Sequence, residues 1–282
     1  MQRISSRYIA GAELGDATRV VRGLNGGGKM ATVDVLGEEV LDAEAARRFV
    51  DAYEDVLAEI ERTGLDSTVS VKPTALGLKL DLDLCRENLT AVVDDAAARG
   101  NFVRIDMEDS STTSDTLRLY RELRESGRDN VGFVLQAALR RTVADVGALA
   151  DLEPNVRLCK GIYVEPAEIA FTDFDAVRAN FVKALDELLA AGAYVGIATH
   201  DEWLIQRGLE RVEGRPLEAY EFQMLLGVRE DRADDLVAAG HRLRVYVPFG
   251  REWYGYSLRR LQENPKVAGY IAGDTLSRLL GR

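Results

Sequence analysis

The segment ATVDVLGEEVLDAEAARRFVDAYEDVLAEIERTGLDSTVSVKPT, residues 31–74, contains the unit that decides the fold. Its two ends, ATVDVLG at 31–37 and VSVKPT at 69–74, are short runs rich in β-branched residues, which predict strands. The stretch between them, residues 42–64, begins with an acidic turn, is rich in alanine and leucine, and ends on Gly64, which predicts a helix. This order predicts two parallel strands joined by a helix.

The same unit recurs along the chain. Further strands are predicted at FVRIDM (102–107), VGFVLQ (131–136), VRLCKG (156–161), YVGIATH (194–200), YEFQML (220–225) and RVYVPFG (244–250). Helical patterns lie between them, and the one at 172–192 has an apolar stripe that predicts a core-facing side: Phe174, Val177, Phe181, Leu185 and Leu188. Eight strands spaced by about 25 to 40 residues predict the α/β class and a single (β/α)8 TIM-type barrel. A doubly wound open sheet is the competing architecture.

The first 30 residues are predicted to form a short N-terminal helical appendage, and residues 31–282 the catalytic barrel. The loop GLNGGGK, residues 23–29, matches the spacing of a phosphate-binding loop. Met30, however, stands where that loop needs Ser or Thr, and the segment precedes a strand instead of following one. We therefore expect no nucleoside triphosphate site here.

Composition excludes several classes of function. With 47 acidic and 36 basic residues and a net charge of -11, the chain is not expected to bind nucleic acid. No secretory signal or long apolar segment is visible, so the expected location is cytoplasmic, with peripheral contact at the inner face of a membrane left open. Two cysteines and two histidines make a disulfide framework or a metal site improbable, so catalysis must use a cofactor, cations or carboxylates.

Polar residues follow the predicted strands, where a barrel of this kind carries its active site. These positions are Lys72, Asp106, Met107, Glu108, Gln136, Arg157 through Tyr163, Thr199, His200, Asp201, Gln223 and Tyr246. Each also has a purely structural explanation, such as an internal ion pair or, for Asp201, a helix cap. Three cations at one rim of an acidic protein, Lys72, Arg157 and Lys160, nevertheless predict an anionic ligand.

Near the C-terminus, YGYSLRRLQENP at 254–265 places two arginines side by side. If this segment is helical, Tyr256, Arg259, Arg260 and Glu263 share one face. A guanidinium pair suits a small carboxylate ligand. The competing interpretation is a solvated basic helix end that complements the helix dipole.

Eight motifs occur in series, and together they resemble the proline dehydrogenase family: ATVDVLGE, SVKPTALG, RIDMED, VLQAALRRT, VRLCKGIY, IATHD, EFQMLLGVR and RVYVPFGREWYGYSLRRLQENP. These flavin enzymes oxidise L-proline to Δ1-pyrroline-5-carboxylate, the first step of proline catabolism. The resemblance implies FAD as cofactor and hydride transfer from proline C5 to flavin N5. It also implies a distorted barrel whose last helix lies over the barrel mouth.

The resemblance carries roles over to matching positions. It implies that Asp106 and Arg157 are catalytic, with Arg157 beside flavin N5. The substrate would be bound by Lys72, Leu225, Tyr246, Tyr256, Arg259, Arg260 and Glu263, the two arginines holding the carboxylate and the tyrosines and leucine enclosing the ring. FAD would contact Met107, Gln136, Arg157, Lys160, Gly161, Ile162, Thr199 and His200. No metal is implied.

Four residues depart from the family pattern: Pro73, Cys159, Ile162 and Leu226. They bear on the packing of the flavin pocket and on fine specificity. A preference for hydroxyproline or another cyclic amino acid stays open, because ring selectivity depends on packing around Tyr256 and Leu225. Two further functions compete with proline oxidation: a Schiff-base aldolase using Lys72 or Lys160, and a non-catalytic carboxylate-binding barrel. The resemblance implies a quinone as electron acceptor. Because the sequence ends at Arg282 without an aldehyde dehydrogenase domain, we expect the product to pass to a separate pyrroline-5-carboxylate dehydrogenase.

Overall fold

The structure, a computed structural model, describes residues 8–252. Within this range eight parallel strands form a closed barrel in sequence order. The strands are β1 (Met30–Val35), β2 (Ser67–Val71), β3 (Val103–Ile105), β4 (Val131–Gln136), β5 (Asn155–Cys159), β6 (Tyr194–Ala198), β7 (Tyr220–Leu225) and β8 (Leu243–Phe249). The predicted barrel is confirmed, and an open sheet is excluded because β1 pairs with β8, for example through Ala31 and Val245.

Helices surround the strands. In the part of the chain that the structure describes they are α1 (Leu14–Gly26), α2 (Ala43–Thr63), α3 (Leu82–Ala98), α4 (Thr113–Glu125), α5 (Thr142–Leu149), α6 (Phe174–Ala190), α7 (Glu202–Val212) and α8 (Glu230–Ala238). Short 3-10 turns follow α5 and α7 at Ala150–Leu152 and Leu217–Ala219. Four helices, α2, α3, α6 and α7, begin with an aspartate cap whose carboxylate accepts a backbone N–H, so the acidic turns of the sequence mark real helix starts.

The N-terminal helix α1 lies against β8 and β1, between the last and first strands of the barrel. Its residues Ala17 and Val21 are fully buried in the same core as the strands. The segment before it is tied to the end of β8, since Ala10 N–H donates to the Pro248 carbonyl at 2.9 Å. The predicted boundary at residue 30 lies between α1 and β1. The segments on its two sides share one apolar core.

The apolar core fills the space between the strands and the helices. Phe133, Phe181 and Phe222 are among its largest fully buried side chains. The stripe predicted on α6 is buried at Phe181, Leu185 and Leu188, but the prediction is wrong for Phe174, which is 53% exposed. Phe174 opens the helix at the barrel rim, beyond the reach of the core.

None of the helices in residues 8–252 is long and apolar enough to cross a bilayer.

Candidate active site

The inside of the barrel is polar. Side chains two residues apart on a strand point to the same side, and the inward set meets across the barrel. It comprises Thr32 and Asp34 on β1, Ser70 on β2, Arg104 on β3, Arg157 on β5, Glu221 and Gln223 on β7, and Arg244 and Tyr246 on β8. A barrel interior filled with charged groups must satisfy them internally, because a buried unpaired charge is strongly destabilising.

Two glycines make room for these long side chains. A Cβ atom at Gly132 on β4 would lie 2.5 Å from Arg104 Nη1, and one at Gly196 on β6 would lie 2.4 Å from Gln223 Nε2. Both distances are much shorter than a van der Waals contact. The absence of a side chain at these two positions on β4 and β6 therefore leaves room for side chains from β3 and β7 to extend across the barrel.

Arg157 is the centre of the polar network. Its guanidinium donates to three acceptors, two on strands β7 and β2 and one just after β3: Nε to Gln223 Oε1 at 2.6 Å, Nη2 to Ser70 Oγ at 3.1 Å, and Nη1 to Asp106 Oδ1 at 2.6 Å. The Tyr246 hydroxyl donates to the second oxygen of Asp106 at 2.8 Å, and the Arg157 guanidinium lies 5.2 Å from the Tyr246 ring centre. The orientation of the guanidinium is therefore fixed before any ligand binds.

Lys72 follows β2 and is buried with Asp34. Its ammonium donates to Asp34 Oδ1 at 2.5 Å. Burial works against the charged form of Lys72, but the nearby carboxylates Asp34 and Asp106 raise its pKa above the ordinary lysine value. Lys72 is accordingly a fixed ammonium at neutral pH.

Glu108 joins the loops that follow β2 and β3. Its carboxylate accepts from the Thr74 backbone N–H at 2.9 Å and from the Thr74 hydroxyl at 2.6 Å. Its backbone carbonyl accepts from Gln136 Nε2 at 2.7 Å. Burial raises the pKa of Glu108 to about 7, against the opposing effect of the Thr74 hydrogen bonds.

Lys160, just beyond β5, belongs to a second charged group at the rim. Its ammonium lies 3.4 Å from Asp201 Oδ2, and Asp201 also receives two hydrogen bonds from Arg178, at 2.9 and 2.7 Å. Lys160 and Arg178 both lie over the ring of Phe174, 4.8 and 4.2 Å from its centre. Asp201 caps α7 as well, so the cap predicted at THD is confirmed.

The remaining predicted contacts lie on the same rim. Gly161 has a φ angle of +99°, and a Cβ atom there would lie 2.9 Å from Gln136 Oε1. The Leu225 backbone N–H donates to His200 Nε2 at 2.9 Å, which places the His200 proton on Nδ1 when the ring is neutral. Met107 and Thr199 are buried at the ends of β3 and β6, and Ile162 is half-buried in the loop after β5.

The three rim cations from which an anionic ligand was predicted are ion-paired within the protein. Each of the three rim cations has an acidic partner: Asp34 for Lys72, Asp106 for Arg157 and Asp201 for Lys160. These cations are thus not uncompensated charges waiting for an anion. An anionic ligand must instead join groups whose positions the carboxylates already fix.

The sequence patterns did not reveal five members of the two charged groups: Asp34, Arg104, Glu221 and Arg244 in the barrel network and Arg178 at the rim. A charged residue inside an apolar strand is the signal that could have found Asp34 and Glu221. Four predicted substrate residues, Tyr256, Arg259, Arg260 and Glu263, lie outside the described residues, as does the helix expected over the barrel mouth.

Fold and site together define a (β/α)8-barrel enzyme with a preorganised cluster of guanidinium, ammonium and carboxylate groups at the carboxyl ends of its strands. Comparison with known proteins identifies the kind of enzyme. The family model described as proline dehydrogenase matches residues 17–272, and the chain belongs to this family. As a member it is an oxidoreductase that catalyses proline oxidation, the first step of proline catabolism. The family is flavin-dependent.

Similar proteins agree in sequence and in fold. Proline dehydrogenase 2 of Bacillus subtilis is 39% identical over 263 residues, covering 93% of this chain and 86% of that protein. Proline dehydrogenase of Deinococcus radiodurans is 35% identical over 282 residues, covering 98% and 91%. The crystal structure of proline utilization A from Bdellovibrio bacteriovorus inactivated by N-propargylglycine has a TM-score of 0.87 and 26% identity, covering 93% of this chain but 33% of that longer chain.

Proposed function

We propose that this protein is an FAD-dependent dehydrogenase that converts L-proline to Δ1-pyrroline-5-carboxylate. The observation that carries the proposal is the fixed Arg157 guanidinium, held from β2, β3 and β7 beside Asp106 and Tyr246, in a chain of the proline dehydrogenase family. A rigid cation of this kind suits a reaction in which negative charge develops at a fixed position.

The residues at the rim fit a flavin. The positive φ of Gly161 and its missing Cβ let the backbone after β5 approach the Gln136 side chain at the end of β4 closely. Arg157 and Lys160 supply cationic donors on the same side, and Gln136 and His200 supply neutral polar groups. We assign the holding of FAD to these residues together with Met107, Gly161, Ile162 and Thr199. When bound, FAD supplies the chemistry by accepting a hydride from proline C5 at N5.

Proline needs its carboxylate held and its ring enclosed. We assign the carboxylate to Lys72 with Arg259 and Arg260, and the orientation of those arginines to Glu263. We assign the ring to Tyr246, Tyr256 and Leu225. Asp34 supports this arrangement because it holds the Lys72 ammonium in place at 2.5 Å.

Asp106 has a positioning part in this scheme. Its two carboxylate oxygens accept hydrogen bonds from Arg157 and Tyr246, so a single carboxylate sets both the cation and the aromatic wall. Positioning of reacting groups is the main contribution that a protein makes to a cofactor-borne hydride transfer. We therefore assign Arg157, which the proposal places beside the flavin, as a catalytic residue and Asp106 as the residue that positions it.

The partners proposed here follow from the family and its larger relatives. We assign a quinone as electron acceptor, at or near the inner face of the membrane. The bifunctional relatives join this activity to further sequence, and we propose that here the pyrroline product passes to a separate pyrroline-5-carboxylate dehydrogenase. We also propose the division into an N-terminal helical segment, residues 1–30, and a catalytic barrel, residues 31–282.

The Schiff-base aldolase is disfavoured by a specific observation. Its nucleophile would be Lys72 or Lys160, and a lysine attacks a carbonyl only as the neutral amine. Lys72 is buried against Asp34, and the neighbouring carboxylates raise its pKa. Lys160 lies beside Asp201. The environment of Lys72 therefore favours the ammonium form.

The test is an absorbance spectrum of the protein reconstituted with FAD, recorded before and after anaerobic addition of L-proline. Bleaching of the flavin bands by L-proline is the expected result. Parallel additions of hydroxyproline measure the preference between the two substrates. The proposed function is contradicted if the protein retains no flavin, or if borohydride traps a keto substrate on a lysine.

A further inference from the structure

Gln223 lies between a cation and an anion in the middle of the barrel. Its Oε1 accepts from Arg157 Nε at 2.6 Å, and its Nε2 donates to Glu221 Oε1 at 2.5 Å. All three side chains are buried. Gln223 and Glu221 are two residues apart on β7, so their side chains point the same way into the barrel.

The chemistry of the neighbours allows one orientation of the Gln223 amide. A guanidinium can only donate hydrogen bonds, and an ionised carboxylate can only accept them. The amide satisfies both when its oxygen faces Arg157 and its NH2 faces Glu221. If the amide turned over, two donors would meet at Arg157 and two acceptors would meet at Glu221.

Glu221 is itself anchored as an anion. Burial alone would raise the pKa of Glu221, but the Arg244 guanidinium, which donates to Oε1 at 2.8 Å, holds the pKa below its ordinary value. Arg244 also donates to the Ala31 carbonyl on β1 at 2.7 Å. The acceptor presented to Gln223 is therefore fixed in charge and in position.

Gly196 on β6 provides the space for this amide. A Cβ atom at Gly196 would lie 2.4 Å from Gln223 Nε2 and 2.8 Å from its Cδ. The clash is with the far end of a flexible side chain and not with backbone. An alanine at position 196 would therefore displace the Gln223 amide while the Glu221–Arg244 ion pair stays intact.

We propose that Glu221 is a positioning residue for the redox reaction: through the Gln223 amide, in the space left by Gly196, it sets the orientation of the Arg157 guanidinium. The proposal rests on the proposed function in one respect, which is that Arg157 lies beside the flavin. Without the Glu221 carboxylate the amide can turn, Arg157 loses an acceptor at Nε, and the guanidinium moves. A displaced cation stabilises the reduced flavin less well.

Two variants of the FAD-loaded enzyme test this by different routes. Glu221→Gln removes the charge that orients the amide, and Gly196→Ala pushes the amide aside. The matched control is Gly147→Ala on α5, where an added Cβ meets nothing within 4 Å. The measurements are the flavin midpoint potential, the rate of flavin reduction by L-proline, and the thermal unfolding midpoint.

We expect both variants to lower the equilibrium constant for flavin reduction about tenfold, which is a fall of about 30 mV for a two-electron couple. The flavin midpoint potential of the double variant Glu221→Gln/Gly196→Ala should be no lower than that of either single variant, because both substitutions act on the same amide. Gly147→Ala should have the same flavin midpoint potential and the same rate of flavin reduction as the wild type. If Glu221→Gln does not fold, Gly196→Ala alone decides the outcome.

The proposal is overturned by a wild-type potential in Gly196→Ala, or by effects of the two substitutions that add. Additivity would mean that Glu221 acts through its own charge or through folding and not through Gln223. Failure of the proposed function is distinguishable from both results, because it shows in the wild-type protein as missing flavin or missing reduction by L-proline.

Discussion

Lys72 and Asp34 form an ion pair inside the barrel mouth, with Nζ 2.5 Å from Oδ1 and side chains that are 8% and 0% exposed. The two residues are 38 positions apart in sequence and lie on neighbouring strand ends. Because the pair is buried, its two members depend on each other far more than the members of a surface pair do. Asp34 thus fixes the position of the lysine that we propose as part of the substrate site.

Substituting Asp34→Asn should expose this dependence. It leaves the Lys72 ammonium buried without its main counter-charge, so we expect a loss of about 3–5 kcal/mol in the free energy of unfolding. We also expect a higher KM for L-proline, since Lys72 is no longer held. Urea unfolding and steady-state kinetics measure the two effects.

A second lysine–aspartate pair provides the control. Lys29 pairs with Asp234 on the outside of the barrel, where Asp234 is 67% exposed. Asp234→Asn should change the free energy of unfolding by no more than about 1 kcal/mol and leave KM unchanged. Equal losses of unfolding free energy in Asp34→Asn and Asp234→Asn would show that the buried pair contributes no more to stability than the surface pair.

Tyr246→Phe should have a modest effect, because it removes the hydroxyl that donates to Asp106 and keeps the ring. We expect kcat/KM for L-proline to fall about fivefold, the effect of about 1 kcal/mol. Tyr246→Ala, which also removes the ring face over Arg157, should reduce it much more. Tyr220→Phe is the control. Tyr220 lies at the start of β7 beside His241, and its substitution should leave kcat/KM unchanged. A phenylalanine variant as impaired as the alanine variant would contradict the ring-wall role.

Glu108 should make stability depend on pH. Burial raises its pKa to about 7 from the ordinary 4.5, so between these values the folded protein keeps a proton that the unfolded chain has lost. The stability that this proton contributes is present below pH 4.5 and is lost as pH rises through 7. The full loss is about 3 kcal/mol.

The variant Glu108→Gln isolates this effect. We expect the free energy of unfolding of the wild type, minus that of the variant, to fall between pH 5 and pH 8. Glu44→Gln, at an exposed position on α2, is the control, and its difference from the wild type should stay flat. A flat difference for Glu108→Gln as well would place the pKa of Glu108 near its ordinary value.

The C-terminal arginines carry the prediction that rests on sequence resemblance. Arg259→Ala and Arg260→Ala should leave FAD bound and strongly raise KM for L-proline, because losing a charged contact to a buried ligand costs about 2–5 kcal/mol. Arg48→Ala, an exposed helix position on α2, should leave kinetics unchanged. Normal proline kinetics in both C-terminal variants would remove their assignment to the carboxylate.

The barrel was predictable because its signals are local. Each strand is a short run that contains β-branched or aromatic residues. Each of the helices after β1, β2, β5 and β6 starts at an aspartate that caps it, as Asp42 and Asp81 do. Phe174 shows the limit of such patterns. It fits the helical spacing of the α6 stripe, but the spacing does not say where along the helix the core ends.

The partners inside the barrel were not predictable from single strands. Lys72 stands out as a charge at a strand end, whereas Asp34 reads as one polar residue within β1, and the pairing depends on strand order and register. The same holds for Arg157 and Gln223, which are 66 positions apart. Closing the barrel creates these contacts, so strand-end residues taken one at a time cannot show that their cations are already neutralised.

In the proposed reaction, proline bound at this site transfers a hydride to bound flavin. The most direct measurement is an anaerobic single turnover, in which the FAD-loaded protein is mixed with L-proline while flavin absorbance and product mass are both recorded. We expect one product molecule, lighter than proline by two hydrogens, for each flavin reduced. Flavin that stays oxidised, or that bleaches without forming this product, would contradict it.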